Sequence, residues 1–174
     1  MNRELIIGKY TLESLTNGMY ASPLDMYREY VQNAVDSIDE ALTAGVDFPD
    51  KLSIDIAIDA SNSEITIRDN GVGVPAESAA EILLDIGNSQ KSRMTSRGFR
   101  GIGRLAGLSY CKKLTFRTSV KGEKIASVIE FDADLLKELL LPGSNDGVSV
   151  SDVIERIVTV TSRRMLLADH CHLR

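Results

Sequence analysis

The sequence predicts an α+β domain in which helices pack on one face of a mixed sheet, and three patterns indicate this class. A long amphipathic helix is expected near the N-terminus, between Ser22 and Gly45. Two stretches of apolar–polar alternation, over 52–58 and 65–69, predict a first pair of strands. A second pair, over 113–131, lies far downstream, so helices and strands are grouped along the chain and do not alternate strictly.

The composition is that of one soluble domain. The chain has 174 residues, of which 43% are hydrophobic and 26% charged. It contains no apolar run long enough to span a bilayer and no signal-peptide core at its N-terminus, so we expect a cytoplasmic protein without a membrane partner. Its two cysteines, Cys111 and Cys171, are far apart, and we expect both to be reduced.

The first helix carries two stripes. It is expected to begin at Ser22–Pro23, a hydroxyl N-cap followed by proline, and to end near Gly45. Glu29, Asn33 and Asp36 stand at i, i+4 and i+7 and form a polar stripe. The apolar stripe comprises Tyr27, Val31, Ala34, Val35, Ile38 and Leu42. The two stripes are expected on roughly opposite sides, which alone would indicate a solvated face. The glycine motifs that follow favour a binding role.

Asp69 ends the second predicted strand on the side that faces the core. It has the same parity as Ile65 and Ile67, whose alternation continues that of the first strand. A buried carboxylate is costly unless it is hydrogen-bonded. Followed by Gly71 and Gly73, Asp69 is therefore interpreted as a placed acceptor. The first strand is expected to be buried on one side, through Leu52, Ile54, Ile56 and Ile58.

The rest of the chain supplies further elements and a loop. The segment Gly87–Arg97 is polar, basic and poor in apolar residues, and we interpret it as a mobile lid that extends to about residue 100. The expected elements are a short helix over 77–86, a helix from about Gly101 to Tyr110, a hairpin that turns at Lys121–Gly122, and a helix over 132–140. The stretch 148–160 has no clean period and is not assigned.

Positive charge is concentrated in one segment of an acidic chain. The net charge is −5, yet no acidic residue occurs between Asp85 and Glu123. The basic residues in that interval are Lys91, Arg93, Arg97, Arg100, Arg104, Lys112, Lys113, Arg117 and Lys121. Such a distribution favours an anionic ligand, with a solvated face as the alternative.

Three motifs in order resemble the GHKL, or Bergerat-fold, ATPase family. They are the Glu29–Asp36 stretch EYVQNAVD, the sequence DNGVG from Asp69 to Gly73, and GFRGIG from Gly98 to Gly103. Together they cover roughly 24–108. The family includes type II topoisomerase subunits, the ninety-kilodalton heat-shock chaperone, MutL, MORC proteins and sensor histidine kinases. The resemblance implies a two-layer α/β sandwich whose mixed sheet has helices on one face that enclose the nucleotide.

The motifs also indicate which branch of the family is nearest. Histidine kinases usually have Asn where Glu29 stands, so the glutamate points to the hydrolysing branches. The segment Gly87–Ser92 is similar to the lid start of the heat-shock chaperone, and Arg97–Gly101 to the lid end of MutL. This leaves a chaperone-like, MutL-like or MORC-like branch. The family's fourth motif, a late-strand threonine at the adenine, is not identified. We therefore expect 1–174 to be an ATP-binding domain from the N-terminal part of a longer protein.

The resemblance assigns roles to the polar residues. It implies that Asn33 gives an oxygen ligand to Mg²⁺ and that Glu29 is the catalytic base for the attacking water. Asp36 would steady metal-bound water or the adenine side. Asp69 would accept a hydrogen bond from the exocyclic amine of adenine, which would also exclude guanine.

The glycines and basic residues are implied to contact the nucleotide. Gly71 and Gly73 would let the backbone approach the base and adopt positive φ. The backbone around the phosphates would be that of Gly98, Gly101, Ile102 and Gly103. Lys91 and Arg100 would contact phosphate through their side chains. Weaker candidates for this role are Arg93, Arg97 and Arg104.

The implied function is binding and slow hydrolysis of ATP–Mg²⁺, coupled to lid closure and to dimerisation of a larger protein. Phosphoryl transfer needs cations placed around the transferred group, and relatives take one from a following domain. Two alternatives use the same residues: a non-hydrolysing ATP-dependent switch, and an ATP-regulated nucleic-acid-binding module that uses the basic segment. The sequence His170-Cys171-His172 is interpreted as a chance occurrence or as strand packing, since two ligands make an incomplete zinc site.

Overall fold

A computed structural model describes residues 14, 22–45, 51–85, 103–141, 143 and 148–164. Its helices are α1 (Pro23–Thr43), α2 (Ala79–Leu84), a 3-10 helix (Gly103–Ser109), α3 (Ala133–Leu140) and α4 (Val150–Ile157). Its strands are β1 (Ile54–Asp59), β2 (Glu64–Asp69), β3 (Lys113–Thr118), β4 (Ile125–Asp132) and β5 (Val158–Arg164). The α+β class is confirmed. None of the helices in the described ranges has the length and apolar character needed to cross a bilayer.

The strands form two antiparallel groups. β1 pairs with β2, with Ile56 opposite Ile67 and Ile58 opposite Ile65. β4 lies between β3 and β5 and is antiparallel to both. The predicted hairpin turn is confirmed, and Gly122 there has a φ of +92°, a value that glycine adopts without strain.

α1 begins and ends as its sequence predicts, but a different face is buried. The Ser22 side chain accepts a hydrogen bond from the Leu24 N–H at 3.2 Å, and Gly45 after the helix has a φ of +63°. The buried residues are Met26, Tyr30, Ala34 and Ala41. This face is turned by about a quarter of a turn from the predicted apolar stripe. The expectation that the polar stripe lies opposite the buried face is therefore wrong, because the polar stripe flanks that face. Small side chains at 34 and 41 let the helix approach its neighbours closely.

The one-sided burial predicted for β1 is also wrong. Ile56 and Ile58 are 57% and 74% exposed, whereas Ile67 and Asp69 on the same face of the hairpin are 5% and 9% exposed. α1 packs more extensively against β2 than against β1. It therefore covers the end of the hairpin that carries Asp69 and leaves the turn end uncovered by described residues.

The apolar core lies between the β3–β4–β5 sheet and the helices. Phe116 and Phe131 make an edge-to-face contact with ring centroids 6.0 Å apart. α3 begins at the N-cap Asp132, as expected, and α4 begins at a capping box formed by Ser149 and Asp152. The unassigned stretch 148–160 contains α4 and the start of β5. A helical and a strand period meet within it, which explains why no single period was visible.

Candidate functional site

The polar stripe of α1 borders the helix face that packs into the domain. Glu29, Asn33 and Asp36 are all half-buried, so each is anchored by the helix and still reaches solvent. The Gln32 amide nitrogen donates to Asp36 Oδ1 at 3.1 Å, one turn away on the same helix. The stripe thus presents two carboxylates and one amide oxygen beside the core.

Asp69 ends β2 on the core side, as its parity predicts. The Gly71 N–H donates to Asp69 Oδ1 at 3.0 Å, and the Ser37 hydroxyl lies beside the same loop, next to Gly71. Burial raises the pKa of the Asp69 carboxyl above its ordinary value, and the hydrogen bonds from Gly71, Ser37 and its own N–H oppose that rise. The predicted placed acceptor is therefore a buried carboxyl group held by the backbone of the loop that follows it.

Gly71 is needed where the chain passes α1. A Cβ on Gly71 would overlap Ser37 Oγ and would lie 2.6 Å from the Ser37 carbonyl oxygen. The Val72 N–H also donates to that carbonyl oxygen, at 3.2 Å. The positive φ predicted for Gly71 is wrong, since its φ is not in that region. The physical requirement for glycine here is close approach of the loop to the helix.

Gly73 combines both requirements of a glycine. Its φ is +67°, which confirms the predicted conformation, and a Cβ there would overlap the carbonyl oxygen of Ser119. The next N–H, of Val74, donates to Thr118 Oγ1 at 2.8 Å. The loop after β2 is thereby pressed against the end of β3.

Two further side chains fix this loop. Glu123, in the β3–β4 turn, accepts hydrogen bonds from the Ala76 N–H at 2.9 Å and from the Val120 N–H at 3.1 Å. Asn70 accepts from the Ser53 N–H at 2.7 Å and donates to the Lys51 carbonyl oxygen at 3.0 Å. Contacts to α1, β3 and the chain before β1 therefore preorganise the backbone around Asp69.

Tyr30 joins α1 to the 3-10 helix that follows the second glycine motif. Its hydroxyl donates to the Arg104 carbonyl oxygen at 3.0 Å and accepts from the Gly107 N–H at 2.8 Å. A Cβ on Gly107 would lie 2.5 Å from this hydroxyl oxygen. The predicted helix over 101–110 is a 3-10 helix where it is described, from Gly103 to Ser109. The Tyr30 hydroxyl therefore links α1 to the 3-10 helix that follows the second glycine motif.

Arg104 is directed toward α2. Its guanidinium donates to the Ile82 carbonyl oxygen. Burial lowers the pKa of Arg104 below its usual value, and the negative charge of Asp85 opposes that change. Of the candidate phosphate-binding arginines, this one braces the short helix, while Gly103 beside it is half-buried at the start of the 3-10 helix.

Several predicted site residues lie outside the described residues. They are Lys91, Gly98, Arg100, Gly101 and Ile102, together with Arg93, Arg97, the whole of the 87–100 lid and the His170–His172 sequence. Within the described ranges, no group of three or more His, Cys, Asp or Glu side chains is placed to hold a metal ion. The late strand β5 carries Thr159 and Thr161, but both are exposed and register opposite Glu130 and Val128.

Ser37 is the residue of this region that the sequence motifs miss. It follows Asp36 directly and lies on the rotated, buried side of α1, between Ala34 and Ala41. A signal was present, because a small polar residue in register with alanines marks a place where another backbone approaches. The predicted apolar stripe lies on another side of the helix and does not include Ser37, so it does not point to this residue.

The comparisons with known proteins agree with this geometry. The family model described as histidine kinase-, DNA gyrase B- and HSP90-like ATPase matches residues 26–140, well over half of the chain. Chaperone protein HtpG of Acinetobacter baylyi is 28% identical over 64% of this chain and 20% of its own length. HtpG of Rickettsia canadensis is 26% identical over 97% of this chain and 29% of its own. An endoplasmin homolog of Leishmania donovani is 28% identical over 55% and 14%, respectively. The chain thus spans less than a third of the length of these relatives.

Proposed function

Because the chain belongs to the family of histidine kinase-, DNA gyrase B- and HSP90-like ATPases, we propose that it binds ATP with Mg²⁺ and hydrolyses it slowly. Binding would be coupled to closure of the lid at about 87–100 and to dimerisation of a larger protein. The observation that carries the proposal is the buried Asp69 carboxyl group between α1 and the Gly71–Gly73 loop. A half-buried stripe of hard oxygen donors lies on the same helix that contacts it.

Asp69 would select adenine. An ionised carboxylate has about four acceptor positions, and the hydrogen bond from the Gly71 N–H leaves acceptor capacity for a ligand amine. Adenine presents an amine at the position where guanine presents a carbonyl. A guanine would leave two acceptors facing each other without a proton, which is strongly unfavourable in a buried site.

The stripe on α1 fits the phosphate end of the ligand. Asn33 would hold Mg²⁺ through its amide oxygen, a hard and uncharged ligand that suits an ion already bound to phosphates. When bound, this ion would neutralise phosphate charge. Glu29 lies one helical turn away, at about 5–6 Å between Cβ atoms. Its carboxylate would orient the attacking water and accept its proton. Asp36 would hold ordered water behind them.

The remaining contacts would come from the second glycine motif and the lid. Backbone N–H groups of Gly98, Gly101, Ile102 and Gly103 would cradle the phosphates. Lys91 and Arg100 would add positive charge. A further cation from downstream domains would complete the transition-state site, so the isolated domain would turn over slowly. The Tyr30 hydroxyl makes hydrogen bonds to both Arg104 and Gly107. Ordering of the backbone around the phosphates would therefore be transmitted to α1 through Tyr30.

The proposal is tested by separating binding from turnover with Glu29→Ala. We expect wild-type turnover below about 1 s⁻¹, the lower end of the range for kinases. Glu29→Ala should bind a non-hydrolysable ATP analogue as tightly as wild type and lose at least about a hundredfold in turnover, because only the proton acceptor is removed. Glu40→Ala, an exposed glutamate on the same helix, is the matched control and should change neither quantity.

The outcomes separate the candidate functions. Binding by wild type without measurable hydrolysis would indicate the non-hydrolysing switch. Hydrolysis that survives Glu29→Ala would show that this residue is not the base. Failure to bind any nucleotide, with tight binding of single-stranded DNA or RNA, would favour the nucleic-acid module.

A further inference from the structure

Glu123 connects the β3–β4 turn to the loop that follows Asp69. Its Oε1 accepts a hydrogen bond from the Ala76 N–H at 2.9 Å, and its Oε2 accepts one from the Val120 N–H at 3.1 Å. Ala76 and Glu123 are 47 residues apart in the chain. A single half-buried carboxylate therefore joins the loop of the proposed adenine-binding group to the three-stranded sheet.

The position of this carboxylate is set by its own turn. The Glu123 N–H donates to the Val120 carbonyl oxygen at 3.1 Å, and the Val120 N–H donates back to the Glu123 side chain. Gly122 has a φ of +92°, a value that tight turns require at this place. One carboxylate oxygen is thus held by the turn, and the other bonds to Ala76.

Two backbone N–H groups hold the loop to the β3–β4 hairpin. The Val74 N–H donates to Thr118 Oγ1 at 2.8 Å, whereas Pro75 has no N–H to offer. Ala76 supplies the next donor, and Glu123 is its acceptor. The backbone on both sides of the proline is therefore fixed to the hairpin, and the two glycines that precede it cannot shift independently.

We propose that Glu123 is a positioning residue for the base end of the nucleotide site: it fastens the loop after β2 to the β3–β4 turn and thereby holds Gly73 and the Asp69 carboxyl group in the arrangement that accepts adenine. This inference rests on the proposed function. It deepens that function by assigning part of the base-selecting geometry to a residue outside the three sequence motifs.

A loop that is fixed beforehand favours binding, because the ligand does not have to order it. A loop without this anchor would occupy several positions, and the measured affinity would fall with the fraction of molecules in the binding position. Asp69 would be affected too, because the Gly71 N–H of the same loop donates to its Oδ1. Loss of the Glu123 anchor should therefore weaken adenine binding although Glu123 itself does not touch the ligand.

The experiment compares Glu123→Gln with Glu130→Gln in the complete chain. Glutamine keeps the shape of glutamate but has one acceptor oxygen, so its NH₂ group would face the N–H of either Ala76 or Val120. Glu130 lies on the same hairpin, and its carboxylate pairs with the Lys113 side chain at 2.8 Å. Because this pair does not involve the loop, Glu130→Gln is the matched control.

Two quantities are measured for wild type and for both variants. Calorimetry gives the affinity for a non-hydrolysable ATP analogue with Mg²⁺. Nuclear magnetic resonance without nucleotide gives the amide resonances of Gly71 and Gly73, at the base end of the site, and of Asn33, at the phosphate end. A role of Glu123 confined to its own turn would move neither glycine resonance.

We expect Glu123→Gln to weaken analogue binding roughly tenfold, the effect of losing one hydrogen bond to a charged group. We also expect it to shift the Gly71 and Gly73 resonances and to leave that of Asn33 in place. Glu130→Gln should leave the affinity and the glycine resonances unchanged.

Wild-type affinity in Glu123→Gln would overturn the inference. So would weakened binding with unmoved glycine resonances, since Glu123 would then act by another route than the loop. An equal loss of affinity in Glu130→Gln would also overturn it, because any change on the hairpin would then have the same effect. Absence of binding by wild type would overturn the proposed function, and this inference would fall with it for that separate reason.

Discussion

The half of the domain built on β3, β4 and β5 and the half built on α1, β1 and β2 are held together by different kinds of contact. In the first half, edge-to-face rings at Phe116 and Phe131 lie among fully buried aliphatic side chains such as Ile129 and Val153. In the second half, the loop after β2 is held by hydrogen bonds. They link the Gly71 N–H to the Asp69 carboxyl group, the Val72 N–H to the Ser37 carbonyl oxygen, and the Val74 N–H to Thr118 Oγ1.

The difference shows where stability and function are separated. Apolar packing is non-directional and tolerates many sequences, so it can anchor the domain without fixing single atoms. Directional hydrogen bonds fix individual donors and acceptors, which a ligand-selecting group requires. The half built on α1, β1 and β2, called the polar half below, also leaves Ile56 and Ile58 exposed. It therefore buries less apolar surface there, while its hydrogen bonds hold one carboxyl group in place.

The largest loss of stability is expected from Phe131→Ala in the apolar half, which is the half built on β3, β4 and β5. Phe131 is fully buried, so its removal leaves a cavity and should cost about 3–5 kcal/mol of unfolding free energy. Ile58→Ala, in the polar half, should cost little, because that side chain is 74% exposed. Urea unfolding of both variants measures the contrast. A comparable loss for Ile58→Ala would show that the turn end of the β1–β2 hairpin is covered after all.

A sharper test of the polar half uses two glycines with nearly the same backbone conformation. Gly73 and Gly45 have φ values of +67° and +63°, but only at Gly73 would a Cβ meet backbone, whereas nothing lies within 4 Å of one at Gly45. Both alanine variants should carry the cost of positive φ, roughly 1–2 kcal/mol. Gly73→Ala should lose a further ~1–3 kcal/mol from overpacking, and analogue binding with it. Equal losses for the two variants would mean that the loop relaxes away from Ser119 at no cost.

The smallest effect is expected where the two halves meet, at Tyr30. Tyr30→Phe keeps the ring but leaves the Arg104 carbonyl and the Gly107 N–H without this partner. The expected cost is about 1–2 kcal/mol of unfolding free energy. Tyr27→Phe is the control, since its half-buried ring on the same helix makes no hydroxyl hydrogen bond within the described residues. An equal shift of the melting temperature in both variants would show that the hydrogen bonds of the Tyr30 hydroxyl do not stabilise the domain.

Local patterns predicted what depends on neighbouring residues in the chain. The Ser22–Pro23 start of α1, the turn at Gly122 and the core-facing parity of Asp69 follow from capping, turn and strand rules, and each is found in the structure. The buried face of α1 could not be obtained in this way. Helix periodicity predicts that the largest apolar stripe packs inward. In the structure, the buried face of α1 instead contains small residues, which let another backbone segment approach the helix closely.

The roles of Ser37 and Tyr30 needed the tertiary arrangement. Each acts on a partner that is distant in sequence, Ser37 at Gly71–Val72 and Tyr30 at Arg104–Gly107. Nothing in the spacing of a serine or a tyrosine shows which backbone it will meet. Motif rules identify groups that would touch a ligand, whereas the groups that hold them in place appear only when the chain is folded.

The most direct test of the central claim is calorimetric titration of the wild-type chain and of Asp69→Asn with a non-hydrolysable ATP analogue and with the corresponding GTP analogue, both with Mg²⁺. We expect wild type to bind the adenine nucleotide and not the guanine nucleotide. We also expect Asp69→Asn to lose at least about a hundredfold in adenine affinity, because a buried acceptor is replaced by a group that also donates. Equal binding of the two nucleotides by wild type, or unchanged adenine affinity in Asp69→Asn, would contradict it.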